Sequence, residues 1–384
     1  MNDRVTRIAR DIAALRGWDE DLRITYELAE SSRIRAAVLA DLHEQITPAE
    51  LQTQTAFLEA FNWVPARFDI EDALLRNFAG DIVGLYSVTW KRILLSTAHS
   101  ALPLDSVLRH ELVHAFQDRL FQIGKRVRWA PNLGAGIAAI HALAEGEAVC
   151  VARELEDHHG CFSAVGNAYE DHLYEFGLER LPPVIRYSLM APYVDGIQFV
   201  QRLLKRGGWA SVDQAWQSQL KSTRGQERDN PERLPAVGVP PAVVSADNWR
   251  VSYVDELGEQ GLASVLFAQV TPSEARRLAG GLTSDRAVYW QRENSCAAAW
   301  HLRFRRNDIA GGVAVVLGRS VGIADAAEGG RTTCSQSDAG RLSISRRLRD
   351  IVITSVHNCD GKHFEFATPN CGLLTEWAGR IIED

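Results

Sequence analysis

The sequence of 384 residues predicts an α+β protein. Helical periodicity dominates residues 1–76 and returns between residues 105 and 157, whereas residues 81–97 look like a pair of strands. The last third of the chain mixes both patterns. With 46% hydrophobic and 24% charged residues, the composition is that of a globular chain, long enough for one large core or for two domains.

Charge and hydropathy argue against two classes of partner. The net charge is −7 and the short basic runs are interleaved with apolar residues, so nucleic-acid binding is not expected. No stretch of about 20 uncharged apolar residues predicts a membrane span. The amphipathic N-terminus lacks the apolar core of a secretory signal. It predicts a cytoplasmic chain as written, or a secreted or periplasmic one if the sequence is a mature form.

The six cysteines contain no Cys-x-x-Cys pair, so a cysteine-rich zinc site is not expected. Cys150 lies in an apolar helical run and is predicted to be a core residue. The last four cysteines, Cys296, Cys334, Cys359 and Cys371, lie in the C-terminal third of the chain. We expect reduced cysteines, with pairing of these four as the alternative for an exported protein.

Residues 1–76 form a segment predicted to be mostly helical. Thr47, followed by Pro48 and Glu50, has the signature of a helix N-terminus: a capping hydroxyl, proline at the first helical position and an acidic third position. The stretch L-R-I-T-Y-E-L at residues 22–28 alternates and predicts a strand.

Residues 77–220 are predicted to carry a hairpin at 81–97 and helices at about 105–121, 137–157 and 194–206. The last of these is expected to stop at the pair of glycines that follows it. Residues 221–245 are rich in Pro, Arg, Gly and Asn and predict a surface connection. Beyond it a second α+β domain, residues 246–384, is expected, with helices at 256–270 and 272–280 and strands at 285–291, 296–306 and 342–356.

Residues 108–118 read L-R-H-E-L-V-H-A-F-Q-D and contain His-Glu-x-x-His. At about 100° per residue, His110 and His114 lie within about 40° of each other, opposite the apolar side of the helix and beside Gln117. Two imidazoles one turn apart can bind one zinc ion. Glu111 then lies beside the metal, where it can take a proton from an attacking water. The alternative is a helix whose histidines are spaced by four residues by chance.

A catalytic zinc site needs a third protein ligand. The segment A-L-A-E-G-E-A at residues 142–148 offers Glu145, on a helix long enough to pack beside the first. Glu147 points away from Glu145 by about 200°, so only one of the two can face the site. Small and apolar neighbours favour a cation as the partner of Glu145, and the alternative is a solvated glutamate.

Three further residues have two or more interpretations. Asp118 either orients an imidazole of the site or is an exposed helix residue. His141 is a core histidine, a donor to Glu145 or a rival ligand. Tyr193, in M-A-P-Y-V-D-G at residues 190–196, is predicted to hydrogen-bond the oxyanion of a tetrahedral intermediate, and the alternative is a core tyrosine.

These segments together resemble the gluzincin clan of zinc metallopeptidases. H-E-L-V-H-A-F-Q-D is similar to the active-site helix of the thermolysin family. A-E-G-E-A resembles the Glu-Gly segment of the zinc aminopeptidases, which implies Glu145 as the third ligand, and P-Y-V-D-G resembles their Pro-Tyr-x-x-Gly segment, which implies Tyr193 as the oxyanion donor. The resemblance extends over about residues 80–210. The same region also resembles a group of bacterial gluzincin-like proteins. The resemblance implies a zincin-like core in residues 77–220.

The chain departs from these families at two points. It lacks the Gly-x-Met-Glu-Asn segment with which the aminopeptidases recognise a free N-terminus, so an endopeptidase is expected rather than an aminopeptidase. Val149 stands four residues after Glu145, where the thermolysin family has an aspartate.

The sequence therefore predicts zinc-dependent hydrolysis of a peptide or protein substrate, with His110, His114 and Glu145 as metal ligands and with Glu111 and Tyr193 in catalysis. An extended substrate is expected to pair with the strand at residues 93–96. One alternative is a metal-binding gluzincin-fold interaction module without protease activity. Another is a protease aimed at a single partner, with the N-terminal helical segment covering its cleft.

Overall fold

The computed structural model describes most of the chain, in twelve segments. They are residues 2–18, 22–77, 82–98, 104–157, 161–164, 178–220, 222, 234, 249–323, 332–337, 340–359 and 371–383. The α+β prediction is confirmed, because helices and two separate sheets make up these segments. The predicted connection at residues 221–245 lies almost entirely outside the described residues.

The helices in the described segments are α1 (Asn2–Arg16), α2 (Ser31–Gln45), α3 (Pro48–Glu59), α4 (Ile70–Asn77), α5 (Leu104–Phe121), α6 (Ile123–Arg126), α7 (Gly134–Asp157), α8 (Pro183–Gln217), α9 (Gly258–Leu266), α10 (Pro272–Ala279), α11 (Asn307–Ser320) and α12 (Gly372–Glu383). The strands are β1 (Thr25–Ala29), β2 (Gly84–Ser87), β3 (Arg92–Ser96), β4 (Arg250–Asp255), β5 (Leu282–Arg292), β6 (Ser295–Phe304), β7 (Thr333–Ser337), β8 (Gly340–Arg347) and β9 (Asp350–Asn358).

Several local predictions are confirmed. Thr47 caps α3 in a full capping box with Glu50, and the alternating stretch at residues 22–28 contains β1. The helix predicted to stop at Gly207 and Gly208 has its helical backbone interrupted there, but the chain then resumes helix to Gln217. Gly208 has a φ of 61°, a conformation that a glycine adopts without steric cost.

The smaller sheet has the strand order β1-β3-β2. The predicted hairpin is confirmed, with β2 antiparallel to β3, and β1 adds to the other side of β3 in parallel. The prediction that residues 93–96 form a free substrate-binding edge is wrong, because β3 is the central strand. Its two neighbours already use the backbone groups on both sides.

The larger sheet has six antiparallel strands in the order β4-β5-β6-β9-β8-β7. The single strand predicted at residues 342–356 is wrong: it is a hairpin of β8 and β9, and Leu348 in its turn has a φ of 54°. Two helices that the sequence analysis missed cover the sheet. α11 packs on one face around Trp300, and α12 packs on the other around Trp290.

The domain boundaries proposed at residues 76, 220 and 245 stay a prediction. In the structure, β1 from the N-terminal segment pairs with β3. One buried cluster also joins Phe57 and Phe61 of the N-terminal segment to Tyr187 of α8 and to Trp300 of the larger sheet. Core packing therefore crosses all three proposed boundaries.

A contact between two glycines sets the spacing of α7 and α8. A Cβ atom added to Gly146 would lie 2.2 Å from the carbonyl carbon and oxygen of Gly196. One added to Gly196 would lie 2.2 Å from the carbonyl oxygen of Ala142. Both distances are far below van der Waals contact, so any larger residue would force the two helices apart.

All six cysteines are paired, so the expectation of reduced cysteines is wrong. The disulfides join Cys150 to Cys161, Cys296 to Cys359 and Cys334 to Cys371. Cys150 is buried as predicted, and it ties α7 to the short 3-10 helix Cys161–Ala164. The other two disulfides each begin on a strand of the larger sheet, Cys296 on β6 and Cys334 on β7. Their partner cysteines lie 63 and 37 residues further along the chain. Pairing depends on tertiary contacts that cysteine spacing does not reveal.

One helix among the described residues, over Gly134–Glu156, has the length and apolar composition of a membrane span. This segment lies within α7, the helix that carries Glu145. Within its most apolar window 61% is buried inside the protein, as in the core helix of a globular protein. The predicted absence of a membrane span stays a prediction.

Candidate metal centre

The three predicted ligands meet in the structure. His110 and His114 lie one turn apart on α5, and Glu145 faces them from α7, which packs alongside. The two Nε2 atoms are 3.0 Å apart. Glu145 Oε2 lies 3.2 Å from His110 Nε2 and 3.4 Å from His114 Nε2. Two nitrogen atoms and one oxygen atom therefore converge on one point.

The geometry of these atoms fits a metal ion. For bonds of about 2.0–2.1 Å, a tetrahedral ion separates its ligand atoms by roughly 3.3 Å. Glu145 Oε2 is buried and makes no well-aligned hydrogen bond with a protein group. A buried carboxylate oxygen needs a cation or a donor, and the His110, His114 and Glu145 group offers a cation three ligand atoms. The side chains keep 14–21% of their surface exposed, which leaves one side of the group open.

The charges of Glu145 and the two imidazoles are strongly coupled. Burial by itself raises the pKa of Glu145, but the neighbouring His114 and His110 outweigh burial and hold that pKa far below its usual value. Burial lowers the pKa of His114, yet the charge of the adjacent Glu145 raises it to about 9. Glu145 is therefore ionised at neutral pH, and its negative charge is directed at the imidazoles.

Glu111 lies beside the ligands on α5, as the helical spacing predicted. It is buried, and its Oε2 accepts a hydrogen bond of 2.6 Å from the backbone N–H of Tyr86 in β2. Its charge helps to raise the pKa values of both His114 and Tyr193. The carboxylate is thus held close to the metal ligands without being one of them.

Tyr193 also lies at the site. Its ring stacks on that of His110, with 6.4 Å between centroids and 18° between planes. Burial, followed by the charges of Glu145 and Glu111 and a hydrogen bond to Glu145, raises the pKa of Tyr193 well above its usual value. The hydroxyl therefore keeps its proton and remains a donor.

Asp118 behaves differently from both alternatives considered for it, and His141 is not one of the grouped ligands. Asp118 is buried and accepts hydrogen bonds from the Tyr86 hydroxyl (2.8 Å) and from Lys91 Nζ. It neither orients an imidazole nor is exposed, because the hairpin of β2 and β3 covers it. His141 lies outside the group of ligand atoms, and burial lowers its pKa.

The residue that orients His114 is Gln117, which the helical wheel placed beside the imidazoles without a role. Its Oε1 lies 2.8 Å from His114 Nδ1, and its Nε2 donates to Glu147 Oε2 at 2.9 Å. Glu147 turns away from the metal ligands as predicted and forms a fully buried ion pair with Arg16. The sequence signal for this role was a polar residue, Gln117, three positions after a histidine of the site. The sequence could not show the role because the partners that hold Gln117 lie on distant segments.

Helix α1 does not cover the ligands. Its apolar residues Val5, Ile8 and Ile12 pack with Leu108 and Phe116, on the side of α5 opposite His110 and His114. The hypothesis that the N-terminal segment covers the cleft is therefore wrong for α1.

No protein-family model, curated protein or solved structure matches the chain.

Proposed function

We propose that the chain is a zinc-dependent endopeptidase. The observation that carries the proposal is the convergence of His110, His114 and Glu145 at separations of 3.0–3.4 Å. Two imidazole nitrogens and a carboxylate oxygen are typical ligands of catalytic zinc. When bound, zinc supplies Lewis acidity, which makes water more acidic and polarises the carbonyl group of a peptide bond.

Two more residues support hydrolysis rather than metal storage. In this proposal Glu111, beside the ligands, takes a proton from the attacking water and delivers it to the leaving amine. Tyr193, held protonated, is placed to donate a hydrogen bond to the oxygen that becomes negatively charged. Such donors contribute about 10²–10³ in rate.

The substrate strand in this proposal pairs with β2 rather than β3. Val83 and Ser96 are joined by a backbone hydrogen bond. Along β2, residues whose backbone N–H and C=O groups face β3 therefore alternate with residues whose backbone groups face the outer side of the sheet. Gly84 and Tyr86 are the outward-facing pair. Because the Tyr86 N–H donates to Glu111, a substrate strand would have to pair with the other outward backbone groups of β2. No described strand pairs with the outer side of β2. An extended peptide added there would run beside the metal ligands.

Metal content and cleavage test the proposal together. We expect one zinc ion per purified chain and cleavage of an unfolded protein such as casein that a zinc chelator stops. A Glu145→Ala variant is expected to lose the zinc and the activity while retaining its helical circular dichroism. Metal-binding wild-type protein without cleavage of any peptide substrate would favour an interaction module. Wild-type protein that binds no metal would refute the zinc site.

The disulfides bear on where the chain works. Three disulfides are typical of proteins in oxidising compartments. We therefore propose the secreted or periplasmic alternative. Denatured, unreduced protein from the native host should react with a thiol reagent at none of its six cysteines, and a reduced sample at all six. Six reactive thiols before reduction would place the chain in a reducing compartment.

A further inference from the structure

We infer that a buried network of Gln117, Glu147 and Arg16 fixes the orientation and tautomer of His114 and thereby sets the affinity of the metal centre. The inference rests on the proposed zinc site and names residues that do not touch the metal. They act through His114, so they are positioning residues rather than catalytic ones.

The direction of the Gln117 amide follows from its neighbours. One side of the amide faces the carbonyl oxygen of Ala144 at 3.0 Å and Glu147 Oε2 at 2.9 Å. A carbonyl oxygen and a carboxylate paired with arginine can only accept, so this side must be the NH2 group. The amide oxygen of Gln117 therefore faces His114 Nδ1, 2.8 Å away.

That direction assigns the protons of His114. An amide oxygen only accepts, so Nδ1 must carry a hydrogen atom. Nε2, on the other side of the ring, is then the nitrogen that can release its proton and offer a lone pair to the metal. It is also the nitrogen that lies 3.4 Å from Glu145 Oε2. The network thus selects the tautomer that binds metal and fixes the plane of the ring.

Glu147 holds the amide in place because its own position is fixed on every side. Its carboxylate accepts from Arg16 Nε at 2.8 Å, Trp216 Nε1 at 2.7 Å and Gln117, and both charged side chains are fully buried. A buried carboxylate that left these partners would lose charge-assisted hydrogen bonds without gaining contact with water. Removing the positive charge would leave Glu147 without its counter-ion.

Arg16 extends the network to the first helix of the chain. It is the last residue of α1, its guanidinium also pairs with Asp213 of α8, and it lies 4.4 Å above the rings of both Trp18 and Trp209. The N-terminal helix is therefore connected to the metal ligand through three side chains. Helix α1 packs on the side of α5 opposite the two histidines, and it contacts the site only indirectly, through Arg16.

The test measures zinc affinity, by competition with a chromophoric chelator, in four variants. Gln117→Leu removes the acceptor and is expected to weaken zinc binding about 10- to 100-fold. Gln117→Glu places two carboxylates in contact and should weaken it at least as much. The double variant Gln117→Glu with Glu147→Gln removes the repulsion between the two carboxylates and should recover part of the affinity. Full recovery is not expected, because residue 117 then has no donor for the Ala144 carbonyl and the NH2 group of residue 147 faces the Trp216 N–H. Gln201→Leu is the control, because Gln201 is also a buried glutamine and donates to the Cys161 carbonyl, away from the site.

Two results would overturn the inference. One is a folded Gln117→Leu variant whose zinc affinity matches that of the Gln201→Leu control. The other needs no variant: in ¹⁵N-histidine spectra of zinc-loaded wild-type protein, His114 should show a protonated Nδ1 and a metal-bound Nε2, and the opposite assignment refutes the network. Both readouts are independent of peptide cleavage. A protein that binds zinc with these properties but cleaves no peptide would contradict the proposed function and leave the inference standing.

Discussion

Replacing Glu111 by glutamine is expected to lower the rate of peptide hydrolysis by about 10²- to 10⁴-fold without loss of zinc. The carboxylate is the only part of the residue that the reaction uses as a base, and an amide cannot accept a proton at neutral pH. A glutamine can still accept the hydrogen bond that Glu111 now receives from Tyr86 N–H, so the helix and strand keep their contact. Metal content by atomic absorption and the initial rate on a fluorogenic peptide measure the two quantities.

The matched control is Glu156→Gln. It removes one carboxylate from α7, at an exposed position about three turns from Glu145. Activity of this variant should equal that of the wild type. If the Glu111 variant also retained wild-type activity with its zinc in place, the general-base role would be refuted.

Replacing Gly146 by alanine is expected to cost about 1–3 kcal/mol of stability and to weaken the metal centre. The new Cβ would lie 2.2 Å from Gly196 backbone atoms, where 3.4 Å or more is ordinary contact. The backbones would have to separate by roughly 1 Å, and rotation of a side chain cannot relieve the clash. Because Gly146 follows Glu145 directly and Gly196 lies three residues after Tyr193, this shift would move the proposed metal ligand and the proposed oxyanion donor apart. Misplacement of about 1 Å can cost about 10² in rate.

Urea denaturation, zinc competition and the peptide assay measure the three effects in turn. Gly196→Ala should behave alike, since its Cβ would meet the Ala142 carbonyl oxygen at 2.2 Å. Gly379→Ala in α12 is the control: no atom lies within 4 Å of its added Cβ, so the higher helix propensity of alanine should leave stability unchanged or raise it by up to about 1 kcal/mol. A Gly146→Ala protein as stable and active as this control would show that the close crossing is not required.

The local features of the site could be predicted because they depend on helical periodicity. His-Glu-x-x-His places two imidazoles on one face of a helix in any protein where that helix forms. The same argument placed Glu145 and Glu147 on opposite sides of α7, and the structure agrees. The capping box at Thr47 and the hairpin of β2 and β3 likewise depend on residues within a few positions of one another.

The tertiary structure decided everything that joins distant segments. That β3 is central depends on β1, more than 60 residues earlier in the chain, so the expected substrate edge was assigned to the wrong strand. Asp118 was a candidate for the orienting residue, with an exposed helix residue as the alternative. The hairpin supplies Tyr86 and Lys91 to it, and Gln117 lies against His114 instead. The pairing of Cys296 with Cys359 likewise depends on β6 lying beside β9.

The sequence by itself therefore determined which side chains share a helix face, since rotation per residue is a property of the backbone alone. Only packing decided which helix faces meet and how closely α7 approaches α8. Packing also decided which buried carboxylate pairs with Arg16. The contacts responsible lie 131 residues apart for Arg16 and Glu147. Between such positions, a single sequence carries no periodic signal.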